Sequence, residues 1–335
     1  MLKNNKQKIA VLGAGSWGTA LANHLSLSGF DTILWGKDSQ AISSIQSSRI
    51  NQKYFPDYVL AKDLIVTDNL QKALDNTESV VFSVPSTSLR DVSKQAKPFL
   101  SKVKVIISTA KGLEENSLKR MSEVLFEEIK MPQIAVLSGP SFAKEVILNL
   151  PTAVTIASVD KQAQEDARVL FHHRNFRVYT SSDVVGVEYG GVIKNIFALA
   201  VGVIDGSAMG DNARAALLTR GLSEMSVLVQ ALGGKAQTVL GLSCLGDLLL
   251  TSTGDKSRNR QVGLRLGKGE SLDSILSDLG QVAEGVKATK LVVELAKRKN
   301  IETPLISEMN RLLTGTSTVQ ESVSILLSRS PKSEF

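Results

Sequence analysis

Apolar residues follow two rhythms along this chain, and the change between them falls near residue 185. Short runs rich in β-branched residues recur at Lys8–Leu12, Thr32–Trp35, Leu64–Thr67, Ser79–Val84, Val103–Thr109, Gln133–Ser138 and Thr152–Ala157. Helical patterns separate most of them, and that alternation predicts a parallel sheet covered by helices. Beyond Val184 the strand signal stops. Helical periodicity then runs through Val187–Ile204, Ala213–Leu232, Ser243–Thr251, Leu272–Leu279, Val286–Lys299 and Pro304–Leu313. The pattern therefore predicts an α/β domain over residues 1–185 and an all-helical domain over 186–335. No repeat and no low-complexity tract interrupts either part.

A chain of 335 residues has the length of about two domains. Its hydrophobic share of 43% and charged share of 21% are those of an ordinary globular protein with a sizeable core. The single cysteine, Cys244, excludes an internal disulfide framework, and no Cys/His spacing suits zinc, so no metal is expected. The first residues, MLKNNKQK, are basic and lead directly into a strand, so no signal peptide is expected, and a reducing cytoplasm fits the lone cysteine best. The most apolar later stretch, Asn195 to Ile204, is bracketed by Lys194 and Asp205. It is too short to span a bilayer and reads as a buried helix, so no membrane insertion is expected. A net charge of +6, scattered and without basic–aromatic interleaving, argues against nucleic acid. Such a field suits small phosphorylated ligands, although solubility alone explains it equally well.

Candidate chemistry begins at Gly13-Ala14-Gly15-Ser16-Trp17-Gly18, a G-x-G-x-x-G turn between a strand and a helix. In that setting the first glycine permits a tight turn and the second lets a pyrophosphate approach the backbone. The third, Gly18, allows close helix–strand packing, while the helix amides face the phosphates. It reads as a Rossmann-type dinucleotide site, ahead of the alternative of a plain glycine turn in an α/β fold. After the second strand, where a ribose-binding carboxylate is often found, stands Lys37. A cation there can pair with a 2′-phosphate, so the site is read as accepting NADPH, with NADH left open. The neighbouring Asp38 could instead reach toward a ribose.

Ligands in open α/β sheets bind beyond the carboxyl ends of the strands. Ser83-Val84-Pro85-Ser86, Ser108-Thr109-Ala110-Lys111-Gly112 and Ser138-Gly139-Pro140-Ser141-Phe142-Ala143 occupy such ends. Ser86 reads as turn chemistry. Lys111 and the turn from Gly139 to Ser141 are candidates for ligand contact, with Pro140 expected in the first turn of a helix.

Lys194 lies within "VEYGGVIKNIFALAVGVIDG", where Gly190, Gly191, Ala198 and Val201 fall near its helical face. Burial there would disfavour the ammonium and tune the group for proton transfer. Snorkelling, or pairing with a carboxylate such as Glu188, is the competing account. In "TGDKSRNRQVGLRLGKG", Ser257 can cap a helix running toward Leu266 and place Arg258 and Arg260 in its first turn. The helix dipole disfavours cations there, so an anion such as phosphate should offset them. An exposed basic turn stabilised by Asp255 is the plainer reading. Asp247 and Glu284 carry no signal alone, and the three histidines are given no role.

Together GAGSWGTALA, SVPS, STAKGLE, SGPSFAKEV, EYGGVIKNIFALAVGV, LGDLLLTS, SRNRQVG and AEGVKA resemble the bacterial-type NAD(P)-dependent glycerol-3-phosphate dehydrogenases, in order from about residue 8 to 328. The resemblance implies a Rossmann-type doubly wound sheet followed by a helical domain like that of 6-phosphogluconate dehydrogenase, usually as a homodimer. It implies NAD(P)H as cofactor and interconversion of dihydroxyacetone phosphate and sn-glycerol 3-phosphate, the backbone of phospholipids. By the same resemblance Lys194 is the catalytic proton donor or acceptor. Lys111, Gly139, Ser141, Asp247, Ser257, Arg258 and Asn259 would contact the substrate. Gly13, Gly15, Ser16, Trp17, Gly18, Lys37, Lys111, Ala143, Arg258, Val282 and Glu284 would contact the cofactor. Two alternatives stand beside this reading: a related dehydrogenase of a hydroxy acid or sugar acid, and a nucleotide sensor without catalysis.

Overall fold

Parallel pairing of β-branched runs dominates the first part of the chain. The computed structural model describes residues 7–131, 133–254, 257–279, 283–331 and 333–334. The chain divides into two compact units, one ending at Glu188 and the other starting at Tyr189. The division falls inside a helix, Val184–Gly206, rather than in a linker.

In the first unit, β1 (Lys8–Leu12), β2 (Asp31–Trp35), β3 (Ile65–Thr67) and β4 (Ser79–Phe82) are joined through α1 (Ser16–Leu27), α2 (Ser39–Ser48) and α3 (Leu70–Leu74). Next come α4 (Ser86–Ala96), β5 (Val105–Ser108), α5 (Met121–Ile129), β6 (Ile134–Ser138) and α6 (Ala143–Ile147). The unit closes with β7 (Thr152–Ala157), α7 (Lys161–Phe171) and β8 (Phe176–Ser181). Sheet order is β3-β2-β1-β4-β5-β6-β7-β8, so the first six strands form the doubly wound nucleotide-binding arrangement. One core lies on each face, one with Ile9, Val11, Leu34 and Val81, the other with Ala10, Leu12, Ile33 and Phe82, as the two-residue period requires.

The sheet is not wholly parallel. β7 runs antiparallel to β6, and β8 pairs parallel with β7. The connection explains the reversal. A five-residue α6 rises roughly 7 Å, too little to carry the chain back along a strand of about 17 Å. β8 is missing from the predicted strands because its residues alternate buried and exposed at a sheet edge instead of forming a continuous apolar run.

The helices of the second part are α8 (Val184–Gly206), α9 (Gly210–Ala231), α10 (Ala236–Val239), α11 (Asp247–Thr253) and α12 (Arg258–Gly267). They continue with α13 (Leu272–Leu279), α14 (Glu284–Arg298), α15 (Pro304–Leu313) and α16 (Val319–Leu327). A π-helical turn, Leu242–Gly246, leads into α11, where one unbroken helix from Ser243 is predicted. α16 escapes the periodicity reading although Thr318 and Glu321 form a full capping box before it.

Helix α8, at 23 residues, exceeds the apolar stretch read from the sequence and is long and apolar enough to cross a membrane by length and composition. It is instead packed within protein, with Val187, Val192, Ile193, Ile196, Phe197 and Leu199 at or near zero exposure. Four glycines bring its far half against α12. A Cβ at Gly202 would lie 2.2 Å from the Arg260 carbonyl oxygen, and one at Gly206 would lie 2.1 Å from that of Leu264. Reciprocally, Cβ atoms at Gly263 and Gly267 would lie 1.9 Å and 2.3 Å from the oxygens of Leu199 and Val203. Glycines four apart on both helices thus let two backbones touch, which fixes where α12 begins relative to Lys194.

Candidate active site

The glycine turn forms as its sequence requires. Gly13 has φ +119°, a left-handed conformation suited to glycine, and its N–H donates to the Trp35 oxygen at 2.8 Å. A Cβ on Gly18 would meet the Gly13 oxygen at 1.9 Å, so the third glycine lets α1 close onto the turn. Gly15 is different: a Cβ there would meet nothing within 4 Å. Its open face leaves room for a phosphate. Gly15 is the N-cap of α1 and offers no side-chain acceptor, and the first turn, which includes Ser16 and Trp17, has no acidic residue. Amides without a side-chain cap at a helix start suit a pyrophosphate, so these residues fit the dinucleotide.

Lys37 stands exposed two residues beyond β2. The carboxylate beside it is committed elsewhere, because Asp38 caps α2 and its Oδ1 accepts from the amides of Gln40 and Ala41, each at 3.1 Å. Lys37 beside it remains exposed, with no hydrogen bond or ion pair among the described residues.

Lys111, Gly139 and Ser141 come together. The Gly139 oxygen accepts from Lys111 Nζ at 3.2 Å and from Ser141 Oγ at 3.0 Å. Gly139 itself has φ +145°, and a Cβ there would meet Val154 Cα at 2.9 Å. The helix after this turn starts at Ala143 with Phe142 as N-cap, so Pro140 precedes it and does not occupy its first turn as predicted. Ser86 opens α4, and its hydroxyl occupies the space a Cβ on Gly112 would need, consistent with turn chemistry.

In the helical unit, Lys194 is 6% exposed and neither snorkels nor pairs with Glu188. Its Nζ lies 3.1 Å from Asp247 Oδ1 and donates to Thr251 Oγ1 at 2.7 Å. Thr251 in turn donates to the Asp247 carbonyl at 2.6 Å. Asp247, bland in sequence, is thus the buried counter-charge. Thr251 is a residue the sequence reading missed; its signal was its position four residues after Asp247, one helical turn along the same face. The small residues near Lys194 are also not all ligand space, since Gly190 makes room for the Cys244 sulfur. Glu188 belongs to the other unit's network. It accepts from Arg120 Nη1 at 2.8 Å, Ser122 N at 2.9 Å and Ser122 Oγ at 2.6 Å. Burial pushes its carboxyl upward, with Arg120 opposing the shift.

Ser257 caps α12, its hydroxyl accepting from the Arg260 amide at 3.3 Å, and Arg258 stands exposed at the helix start. Part of the expected anion is internal: Arg260 pairs with the buried Asp205 carboxylate at 2.8 Å, which also takes Arg214 at 2.7 Å. Asn259 is buried and bonded to neighbouring helices, and Glu284 is the exposed first residue of α14. Val282, and Asp255 in the plainer account of the basic turn, lie outside the described residues.

A dinucleotide turn on a doubly wound sheet, and a helical unit holding a buried lysine–aspartate pair and a cationic helix start, define a nicotinamide-dependent dehydrogenase. Residues 8–164 match the NAD-dependent glycerol-3-phosphate dehydrogenase N-terminus and residues 183–324 the corresponding C-terminus. The chain belongs to the NAD-dependent glycerol-3-phosphate dehydrogenase family. It is 46% identical to glycerol-3-phosphate dehydrogenase [NAD(P)+] of Syntrophotalea carbinolica over 98% of this chain and 99% of that one. The Moorella thermoacetica enzyme of the same name is 45% identical, covering 97% and 96%. Among solved structures, glycerol-3-phosphate dehydrogenase from Coxiella burnetii is similar with a TM-score of 0.91 and 42% identity, covering 97% of this chain and 99% of that one.

Proposed function

We propose that this protein interconverts dihydroxyacetone phosphate and sn-glycerol 3-phosphate using NADPH or NADH, and so supplies glycerol 3-phosphate for phospholipid synthesis. The observation that carries the reading is Lys194, buried within hydrogen-bonding reach of Asp247 and Thr251 in a chain of this family. When bound, the reduced nicotinamide supplies a hydride to the ketone carbon, and this chain's residues do the rest. Negative charge grows on the ketone oxygen, and the Lys194 ammonium gives that oxygen a proton. Asp247 and Thr251 hold the amine in one place. Lys111 stabilises the growing charge. Arg258, with Ser257 and the first amides of α12, takes the substrate phosphate, so that binding energy is used for orientation. Gly139, Ser141 and Asn259 complete the substrate contacts.

The cofactor contacts we assign are Gly13, Gly15, Ser16, Trp17, Gly18, Lys37, Lys111, Ala143, Arg258, Val282 and Glu284. We place the protein in the cytoplasm, as a homodimer. Cys244, the single cysteine, is buried and forms no internal disulfide, in agreement with a reducing compartment. The direct test is absorbance at 340 nm with NADPH and NADH, offering dihydroxyacetone phosphate. Oxidation of either cofactor is expected. Turnover with 6-phosphogluconate instead would move the reading to a sugar-acid dehydrogenase.

A further inference from the structure

Three helices of the second unit meet through one directional chain of hydrogen bonds. The Gly285 N–H at the start of α14 donates to Asn259 Oδ1 of α12 at 2.9 Å. An amide N–H can only donate, so the oxygen of Asn259 must face Gly285 and its nitrogen must face α8. There Asn259 Nδ2 donates to Asn195 Oδ1 at 2.8 Å, and Asn195 Nδ2 donates onward to the Gly191 oxygen at 3.3 Å. The contact is close. A Cβ on Gly285 would lie 2.7 Å from the Asn195 carbonyl oxygen and 2.9 Å from Asn259 Oδ1. Asn195 and Asn259 are 2% and 8% exposed, so this polar chain is paired inside the protein rather than solvated.

Each junction residue directly follows one to which the proposed function gives a role. Lys194 precedes Asn195, Arg258 precedes Asn259 and Glu284 precedes Gly285. On a helix successive side chains point about 100° apart, so an inward junction residue turns its neighbour onto an adjoining face. We infer that Asn195, Asn259 and Gly285 form a positioning junction that sets proton donor, phosphate anchor and cofactor glutamate in register, with Asn195 as a positioning residue of the reaction. The inference rests on the roles given under the proposed function. It predicts that one side chain touching none of the reactants governs three separate constants.

The test measures kcat and KM for dihydroxyacetone phosphate, and the NADPH dissociation constant by fluorescence, in the parent, Asn195→Ala, Asn195→Asp, Asn259→Ala and the Asn195→Ala/Asn259→Ala double variant. Asn195→Ala should lower kcat roughly 10²-fold, the scale of a misplacement near 1 Å, and weaken both KM and NADPH binding. Asn195→Asp keeps the acceptor for Asn259 Nδ2 and should recover at least about a tenth of the parent kcat. If Asn195 acts through its bond to Asn259, Asn259→Ala already removes that link together with the substrate contact of Asn259 itself, and the double variant should fall within about threefold of Asn259→Ala. A loss confined to the KM of Asn195→Ala, effects that multiply in the double variant, or an Asn195→Asp protein as impaired as Asn195→Ala would overturn the inference. If the alanine variant does not fold, Asn195→Asp against the parent decides by the same threshold. A parent that binds NADPH but never oxidises it would refute the proposed function instead, and NADPH affinity would still report on the junction.

Discussion

Lys111 and the Gly139 turn stand just beyond strand ends, whereas Lys194 stands in the middle of a helix and Arg258 and Glu284 at helix starts. In the sheet unit the backbone ladder places the functional groups. β1 is flanked by β2 and β4, and Gly13 follows wherever those strands end. In the helical unit no ladder joins one helix to the next. Placement rests on buried side chains and on glycines that let backbones touch: the Lys194–Asp247 pair, the Asn195–Asn259 bond and the contact of α8 with α12. A sheet distributes the task over many equivalent bonds, whereas the helical unit concentrates it in a few polar contacts. Single substitutions should therefore do more damage to function in the helical unit.

The largest effect should come at Lys194. Lys194→Met retains much of the length but no transferable proton, and kcat should fall roughly 10²–10⁴-fold. It also leaves Asp247 buried without its cation, a loss on the order of 3–5 kcal/mol in stability. Adding Asp247→Asn should restore folding without restoring turnover. Stopped-flow single turnovers on correctly folded protein would check this, and near-parent kcat in Lys194→Met would remove the lysine from the chemical step.

Two buried groups, one in each unit, should also answer pH in opposite senses. Burial holds His24 of α1 down at about 4, even though its ring contacts the Phe171 carbonyl at 3.2 Å. The unfolded chain takes up that proton near pH 6.5, so between the two values it binds more protons than the folded state. The contribution of His24 to stability is thus lost as pH falls through this window, by about 3 kcal/mol in full. Glu224 of α9 is the reverse case. Burial pushes it up to about 7, opposed by the amides of Ile306 and Leu305, which it accepts at 3.0 and 2.9 Å as it caps α15. Here the folded state holds the extra proton. Its contribution is complete below about pH 4.5 and is lost as pH rises through 7, again by about 3 kcal/mol. Calorimetry from pH 4 to 8 should show Glu224→Gln gaining on the parent as pH rises, and His24→Gln gaining as pH falls. A difference from the parent that does not vary with pH would remove either group from the account.

What the sequence revealed follows the same division. Strand ends were legible because the glycine turn, Lys111 and Gly139 lie at fixed offsets from apolar runs, and topology sends such ends to one edge of the sheet. The reversed β7 was not, since apolar runs say nothing about strand direction and α6 was too short to notice. In the helical unit the cap at Ser257 and the buried setting of Lys194 could be read locally. The partners of Lys194 and Arg260 could not. Asp247 lies 53 residues from Lys194, and Asp205 lies 55 from Arg260, so only tertiary packing pairs them. Asn195 looked like one more helical residue because its bond to Asn259 spans 64 residues.

A smaller effect is expected at Arg258, the exposed group proposed to take the substrate phosphate. Arg258→Ala should raise KM for dihydroxyacetone phosphate by roughly 10–150-fold, the span of a charge-assisted contact, and leave unphosphorylated dihydroxyacetone little changed. Equal losses with both substrates would make Arg258 structural or a cofactor contact alone.

The smallest effect should fall in the sheet unit, at Lys37. Its side chain is exposed, so any contact with a cofactor 2′-phosphate is screened, and the gain should lie toward or below about 1.5 kcal/mol, near tenfold in affinity. Asp38 does not compete for the position, because its carboxylate caps α2. Lys37→Asp should therefore weaken NADPH while leaving NADH unchanged or improved, with the glycine turn and sheet undisturbed. Raising salt from low to physiological strength should weaken NADPH more in the parent than in the variant, since only the parent has the cation to be screened. Fluorescence titration of both proteins with both cofactors reads all four constants. An unchanged ratio of NADPH to NADH affinity would make Lys37 a surface lysine, and cofactor choice would then have to come from another of the assigned contacts.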